Sequence, residues 1–218
     1  MVVIPTYNGG KELLKGILSD LAKFNVPNNE ICIVDNGSID QSHLRELEDI
    51  KYNGINVLIN PNPGYELGAY KLAINTFKAD VWFCIQDSIR IKQNIFQDIP
   101  PLLTNKNVYT FLFWSNMEYV YVPEIYKFLF ESYGRIVYNM ALYGNMFFAR
   151  DEVVRLVMND WVIPKNKWES VSNEMGLGIV FEKYGIEIVG LDACDEHVDV
   201  ANGFDHYPFF TKIAKLRQ

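Results

Sequence analysis

Apolar and polar positions alternate in blocks along the first ninety residues, and the blocks read in turn as strands and helices. Val2-Val3-Ile4 is an unbroken apolar run closed by Pro5-Thr6-Tyr7-Asn8-Gly9-Gly10, the pattern of a buried strand ending in a turn. Leu13, Leu14, Ile17, Leu18 and Leu21 then recur at three- and four-residue spacing, which predicts one face of an amphipathic helix. Ile31-Cys32-Ile33-Val34 is a second buried strand, closed by Asp35-Asn36-Gly37-Ser38, with a short helix around Leu44 and Leu47 behind it and a third strand at 56–59. Pro61-Asn62-Pro63-Gly64 breaks the chain before a helix through Leu67, Tyr70, Leu72, Ala73 and Phe77, and Val81-Trp82-Phe83-Cys84-Ile85 is a fourth strand. This order predicts a parallel sheet covered on both faces. Ligands of such sheets bind beyond the carboxyl ends of the strands, and the segments there, 5–8, 35–38, 61–68 and 86–88, are where the polar residues gather.

After Pro100-Pro101 the pattern changes. It predicts strands at 108–114 and 120–122, a helix at 124–133, and a mixed apolar strand at 141–149 with Gly144 and Asn145 inside it. Asp151 is placed to cap a helix carrying Val153, Val154 and Val157. Residues 168–172 read as a polar loop, 173–184 as a helix stopped by Gly185, and 186–191 as a final strand. With no repeat, low-complexity tract or linker, residues 1–218 are expected to form one domain, 1–92 and 93–218 supplying the two walls of a cleft.

Composition narrows the function classes. The 218 residues are 49% hydrophobic and 22% charged, which excludes a disordered chain. A net charge of −7 argues against a nucleic-acid partner, because neutralising phosphates takes a surplus of Lys and Arg. The 14% of aromatic residues suits a Phe-rich core with Tyr at its rim, or stacking surfaces for bases and sugars. Cys32, Cys84 and Cys194 lack CxxC spacing, so they read as buried thiols in a reducing compartment and not as a zinc site. No apolar stretch reaches the ~18 residues of a membrane span and no basic n-region opens the chain, so a cytoplasmic location is expected. The basic, amphipathic tail 209–217 could dock on the domain or rest on a membrane.

Three motifs taken together resemble the GT-A glycosyltransferases of family 2: Val2-Val3-Ile4-Pro5-Thr6-Tyr7-Asn8, then Ile33-Val34-Asp35-Asn36-Gly37-Ser38-Ile39-Asp40, then Asn62-Pro63-Gly64 with Lys71. The resemblance covers residues 2–92 well and 141–200 more loosely. It implies the α/β GT-A fold, with a mainly parallel central sheet and helices on both faces. It also implies a nucleotide-diphospho-sugar donor (UDP- or dTDP-sugar), a divalent metal (Mn2+ or Mg2+), and inverting transfer to a hydroxyl of a glycan, polysaccharide or lipid-linked acceptor.

The residues themselves agree with that resemblance. Pro5, Thr6 and Tyr7 leave the first strand with the backbone fixed at Pro5, where a base can stack or hydrogen-bond. Asp35 suits a uracil imide or ribose hydroxyl, or else caps the Gly37-Ser38 turn. Gly64 and Gly68 allow close approach of a ligand to the backbone. Lys71, one turn later, is a point charge for a diphosphate or a solvated helix lysine. Gly9-Gly10-Lys11 is not a P-loop, since Pro5 and Glu12 stand where that loop needs Gly and Ser/Thr. Where the family has Asp-x-Asp, this chain has Gln86-Asp87-Ser88. The resemblance implies that Asp87 contacts the metal, with diphosphate oxygens and water completing a shell of hard ligands. Gln86 is left to reach a ribose and Ser88 to reach the metal through water; a turn cap is the structural alternative for Asp87.

In the second half, Ser172-Asn173-Glu174-Met175-Gly176 resembles the family's acidic pair near a helix start. The resemblance makes Glu174 the general base for the acceptor hydroxyl, with Glu169 in reserve. Gly144-Asn145-Met146-Phe147-Phe148-Ala149-Arg150 resembles the strand beneath the two sugars, where Asn145 binds hydroxyls or shapes a bulge. Trp168 is an apolar platform for a sugar face or a core residue. Asp195-Glu196-His197 follows the last strand, and related enzymes imply a metal ligand there, for which His197 is better placed than His206. His43 is expected to be solvated. The incomplete Asp-x-Asp also supports a second class of function, a transferase-like domain that binds nucleotide or glycan without turnover.

Overall fold

The apolar runs of the first ninety residues become strands covered on both faces. The structure, a computed structural model, describes residues 1–8, 11–48, 52–114, 122–136, 141–193 and 207–212. Its strands are β1 Val2–Thr6, β2 Ile31–Asp35, β3 Asn56–Ile59, β4 Val81–Cys84, β5 Ile89–Ile91, β6 Asn107–Trp114, β7 Ala141–Leu142, β8 Phe147–Arg150, β9 Glu187–Ala193 and β10 Phe210–Lys212. Its helices are α1 Lys11–Lys23, α2 Tyr65–Thr76, α3 Ile95–Asp98, α4 Pro123–Tyr133, α5 Asp151–Val157 and α6 Lys167–Lys183. The main sheet runs β3-β2-β1-β4-β8-β6-β7, with β9 also paired to β6. β1, β2, β3 and β4 are mutually parallel where they pair, β8 runs antiparallel to β4, and β9 runs parallel to β6. The expected fold class, α/β with a mainly parallel sheet between helices, is the one observed.

The period-two geometry of a strand divides the apolar runs between two cores. Val3, Cys32, Val34 and Cys84 pack under α2 with Leu67, Tyr70, Ala73 and Ile74. Val2, Ile4, Ile31, Ile33, Phe83 and Ile85 pack on the other face with Leu14, Ile17, Leu18 and Leu21 of α1. The α1 face is pinned by a bidentate pair, Arg90 Nε and Nη2 donating to Asp20 at 2.7 and 2.8 Å. Because β4 pairs with β8, the second half of the chain extends the same sheet.

Three local expectations are corrected. The strand expected at 141–149 is two strands, broken by a 3-10 turn at Tyr143–Asn145 where Gly144 and Asn145 have φ of 63° and 56°. The loop expected at 168–172 is already helix: Asn166 is the N-cap, accepting from Glu169 N at 3.0 Å, while the Glu169 carboxylate takes Asn166 Nδ2 and Lys165 N. That reciprocal capping box starts α6 six residues early. Asp151 is the first residue of α5 and not its cap; its carboxylate accepts Trp82 Nε1 at 2.7 Å and Arg155 Nε at 2.8 Å. The helix near Leu44 is a 3-10 segment, Ser42–Glu48, and of the strand expected at 120–122 residues 120 and 121 lie outside the described residues. No helix of the described residues is long and apolar enough to cross a membrane.

Cys32 and Cys84 are buried free thiols. Burial pushes the Cys32 thiol up to about 12 and lifts Cys84 further above its ordinary value, so at pH 8 only about one Cys32 in ten thousand is thiolate. Neither thiol is expected to react with DTNB at pH 8 in the native protein, and both should react in denaturant; mass mapping of the labelled cysteines checks this.

Candidate functional site

The carboxyl ends of β1 and β2 are stitched into one rim. Asn36 N donates to Thr6 O at 2.9 Å, Asn8 N to Ser38 Oγ at 2.8 Å, and Ile39 N to Asn8 Oδ1 at 2.9 Å. Pro5 and Thr6 are buried and Tyr7 is 52% exposed, so of the three only Tyr7 offers a stacking face. Asp35 is fully buried, its Oδ2 accepting from Ser38 N at 3.3 Å and Gln41 Nε2 at 3.0 Å. The turn-capping reading of Asp35 is therefore realised. His43 is not solvated but fully buried, with Nε2 3.6 Å from Asp35 Oδ1. It sits on the face shared by Thr6 and Asp35, where Thr6 Oγ1, Asp35 Oδ1 and both ring nitrogens have no hydrogen-bond partner among the described residues. Its sequence gave no signal, since a lone His among polar residues reads as surface.

An asparagine ladder carries this rim to the next one. Asn62 N donates to Asn60 Oδ1 at 3.1 Å, Asn60 Nδ2 to Asn36 Oδ1 at 2.8 Å, and Asn36 Nδ2 to Tyr65 O at 2.7 Å. Asn36 and Asn60 were missed as site residues because amide ladders have no spacing rule in sequence. Tyr65 has φ 48°, a left-handed conformation held in part by this bond. Gly64 and Gly68 lie against Ile163 and Asn60, where a Cβ on Gly64 would come within 2.1 Å of Ile163 Cγ2. The close approach at Gly64 thus serves helix–loop packing. Lys71 is half-buried on α2.

Glu66, in the first turn of α2, meets the end of β4. Gln86 Nε2 donates to Glu66 Oε1 at 2.9 Å and to Gly144 O at 3.0 Å, while Ser170 Oγ donates to Glu66 Oε2 at 3.0 Å. Asn145 Nδ2 donates to Ser170 O at 3.0 Å, which closes a ring through four segments: the β4 end, the α2 start, the 143–145 turn and α6. The amide of Gln86 is taken up by this ring, and Ser88 Oγ donates to its Oε1 at 3.4 Å. Asp87 and Ser88 are buried beside it. Asn145 is 1% exposed, so it faces the ring and not bulk solvent.

Ser170 and Glu174 share a face of α6, being one turn apart, and Glu174 is half-buried. The structure therefore puts Glu174 on the side of α6 that meets the ring, in the second turn of the helix rather than at its start. Asn173 is buried with Oδ1 accepting from Tyr133 Oη at 2.6 Å and Nδ2 donating to Val162 O at 2.8 Å, a structural clamp. Glu169 is consumed by the capping box. Trp168 is 52% exposed at the amino end of α6 and is not a core residue. His197, with Asp195, Glu196 and the tail 213–217, lies outside the described residues.

For a divalent cation, no three His, Cys, Asp or Glu side chains among the described residues lie close enough to hold one together. Asp87 and Glu66 are the carboxylates at the β4 end and the α2 start, both hard oxygen ligands in type, and no contact among the described residues joins them. They fit such an ion only if a ligand's own oxygens complete the shell.

Comparison with known proteins bears on the fold and on the first half of the sequence. Residues 1–88 match the model of the family Glycosyl transferase family 2. The fold is shared with S. aureus TarS 1–349 in complex with UDP-GlcNAc, at 16% identity and a TM-score of 0.59, covering 100% of this chain and 59% of that one. It is shared with the mannosyltransferase PcManGT from Pyrobaculum calidifontis in complex with GDP-Man and Mn2+, at 13% identity and a TM-score of 0.57, covering 88% and 55%. It is shared also with M. tuberculosis glucosyl-3-phosphoglycerate synthase, at 16% identity and a TM-score of 0.57, covering 89% and 71%. Of the TarS chain in a further crystal structure this sequence spans 36%. No curated protein matches the chain in sequence. The resemblance read from the motifs holds: the chain has the GT-A glycosyltransferase fold, and its first 88 residues are family 2-like.

Gly64→Ala is expected to lower stability by about 1–3 kcal/mol through overpacking against Ile163, with Ile163→Ala in the same chain recovering part of the loss; urea unfolding of the single and double variants measures both.

Proposed function

We propose that this GT-A chain transfers a sugar from a UDP- or dTDP-sugar to a hydroxyl of a glycan, polysaccharide or lipid-linked acceptor, with inversion and in the cytoplasm. The observation that supports this most is the hydrogen-bonded ring of Gln86, Glu66, Ser170 and Gly144-Asn145. It joins Gln86 to the helix that carries Glu174, which supports reading the two as parts of one site. A nucleotide base stacks on exposed Tyr7, and the buried Asp35 holds the 35–41 loop in shape beneath it. Lys71 supplies a cation for the diphosphate from α2.

Glu174 takes the proton of the acceptor hydroxyl as that oxygen attacks the anomeric carbon from the face opposite the diphosphate. The bond to the leaving diphosphate breaks in the same displacement, so the sugar changes configuration once. Exposed Trp168 offers its apolar face to a sugar ring, and Asn145 aligns the turn below it. A divalent cation bound by Asp87, and by His197 from the segment after β9, would neutralise charge on the leaving diphosphate. The Mn2+ named with PcManGT supports that reading.

A second reading rests on one observation: the Gln86 amide, at the family's first acidic place, is committed to Glu66 and Gly144. A domain that had lost turnover and kept nucleotide or glycan binding would carry such a change.

Glu174→Gln is expected to cut transfer by about 10²–10⁴-fold while leaving UDP affinity within about twofold. Turnover at the parental rate removes Glu174 from the mechanism. Thermal shifts across nucleotide sugars with and without Mn2+, read beside sugar release, separate the two functions: an enzyme shows both signals, a binding module only the shift.

A further inference from the structure

We infer that Ser170 is a positioning residue for Glu174: a hydroxyl held by Glu66 and a carbonyl held by Asn145 set where the base on α6 stands relative to the end of β4. This rests on the reading of Glu174 as the base of a glycosyl transfer.

A serine inside a helix commonly turns its hydroxyl back onto the carbonyl four residues earlier. Ser172 does so, its Oγ donating to Trp168 O at 2.7 Å. Ser170, 2% exposed, does not. Its Oγ leaves the helix and donates to Glu66 Oε2 at 3.0 Å, across 104 residues of sequence. Glu66 is itself held from the strand end, Gln86 Nε2 donating to its other oxygen at 2.9 Å. The hydroxyl therefore ties the start of α6 to the end of β4.

The carbonyl of Ser170 carries that tie one turn further. In an α-helix it accepts the backbone N–H four residues on, which here is that of Glu174. Asn145 Nδ2 donates to the same oxygen at 3.0 Å, so the amide grips the carbonyl to which the backbone of the base is bonded. The turn that delivers Asn145 is built against local rules. Its φ is 56°, a left-handed conformation that a residue other than glycine adopts at a cost, and its Oδ1 is buried with no partner among the described residues. Departures of this kind gather where function demands a fixed geometry. Gly144 keeps the turn closed on the strand end: its carbonyl accepts Gln86 Nε2 at 3.0 Å, and a Cβ there would lie 3.0 Å from that nitrogen.

The neighbouring contact has a different reach. Asn173 clamps α6 to Tyr133 of α4 and to Val162, all within the second half of the chain, whereas Ser170 supplies a contact to the first half. Glu174, on the same helix face one turn beyond Ser170, then stands at a set distance from Gln86 and Asp87. A misplacement of about 1 Å in a reacting group costs about 10²-fold in rate. Ser170 and Asn145 therefore act on the rate through Glu174, without themselves touching nucleotide or sugar.

The test uses the full chain and follows release of UDP or dTDP from UDP-glucose, UDP-galactose, UDP-GlcNAc and dTDP-rhamnose, with water standing in for the acceptor hydroxyl. Ser170→Ala is expected to lower kcat by about tenfold or more, with donor KM and affinity for the free nucleoside diphosphate within about twofold of the parent. Ser170→Thr keeps the hydroxyl and is expected to hold kcat within about threefold of the parent. In a Glu174→Gln chain, Ser170→Ala is expected to change kcat by less than about twofold, because the group it positions is gone. Asn145→Gly deletes the second tie, accommodates the left-handed φ and carries the same expectations, which keeps the test decisive should the alanine variant not fold. Parental kcat in Ser170→Ala and Asn145→Gly overturns the assignment, as does a threonine variant as impaired as the alanine one. A loss as large in the Glu174→Gln chain as in the parent also overturns it, since a serine that only held the fold together would act with or without the base. Each of these results leaves the functional reading standing. A parent that releases nucleotide from none of the four donors defeats that reading itself, and the assignment with it.

Discussion

The placement of every polar group in the site follows from one constraint on β1. That strand is hydrogen-bonded to β2 on one side and β4 on the other, and helices cover both of its faces. No unpaired donor or acceptor survives inside such a layer without a large desolvation cost, so polar side chains are driven to the carboxyl ends. Register then fixes which residues meet: Thr6 pairs with Asp35, and Val3 with Cys84, which brings the Thr6–Asn8, Asp35–Ser38 and Gln86–Ser88 segments to the same edge of the sheet. The apolar runs of the sequence and the location of the chemistry are two consequences of the same burial.

At that edge hydrogen bonding replaces apolar packing as the organising force. The ladder from Asn62 through Asn60 and Asn36 to Tyr65 uses amides, which donate and accept at once, so it propagates order across two loops without charge. It ends beside Glu66, where charge begins. A carboxylate that accepts from an amide and a hydroxyl in a half-buried place is held by bonds worth about 1.5–3 kcal/mol each. A neutral Gln at 86 also avoids setting a second carboxylate against Glu66, which would be a like-charge contact.

The first half of the fold was legible in sequence because its signals are local. An unbroken apolar run such as Ile31-Cys32-Ile33-Val34 can only be a strand buried on both faces, and Gly or Pro marks where it ends. The second half was harder. Residues 141–149 look like one strand because Gly144 and Asn145 are few among apolar neighbours, yet both adopt left-handed φ and break it. The start of α6 was lost because Asn166 and Glu169 were not read as a pair. The place of Thr6, Asp35 and Gln86 at the strand ends was legible, since position along the chain fixes it. Glu66, His43, Asn60 and Ser170 were not, since their roles arise from contacts across 8 to 104 residues that no local pattern records. Asp35 shows the mixed case: its place at the edge was legible, while its complete burial under the 38–41 turn was not.

The hydrogen bonds of Glu66 also tie the two halves of the chain to each other. An acidic residue at the end of a strand is positioned by the sheet alone. Glu66 is positioned by α2, by Gln86 and by Ser170 of α6, so its geometry is correct only when α6 is docked. Glu174 rides on that same helix one turn beyond Ser170, and α6 is itself clamped through Asn173 to Tyr133 of α4 and to Val162. Groups carried on packed helices hold their geometry more closely than groups on loops. A single helix therefore fixes the Glu66 carboxylate through Ser170 and also carries Glu174, and a shift of α6 would move both. In this chain the hydrogen-bond ring therefore draws on four segments and on both halves of the sequence.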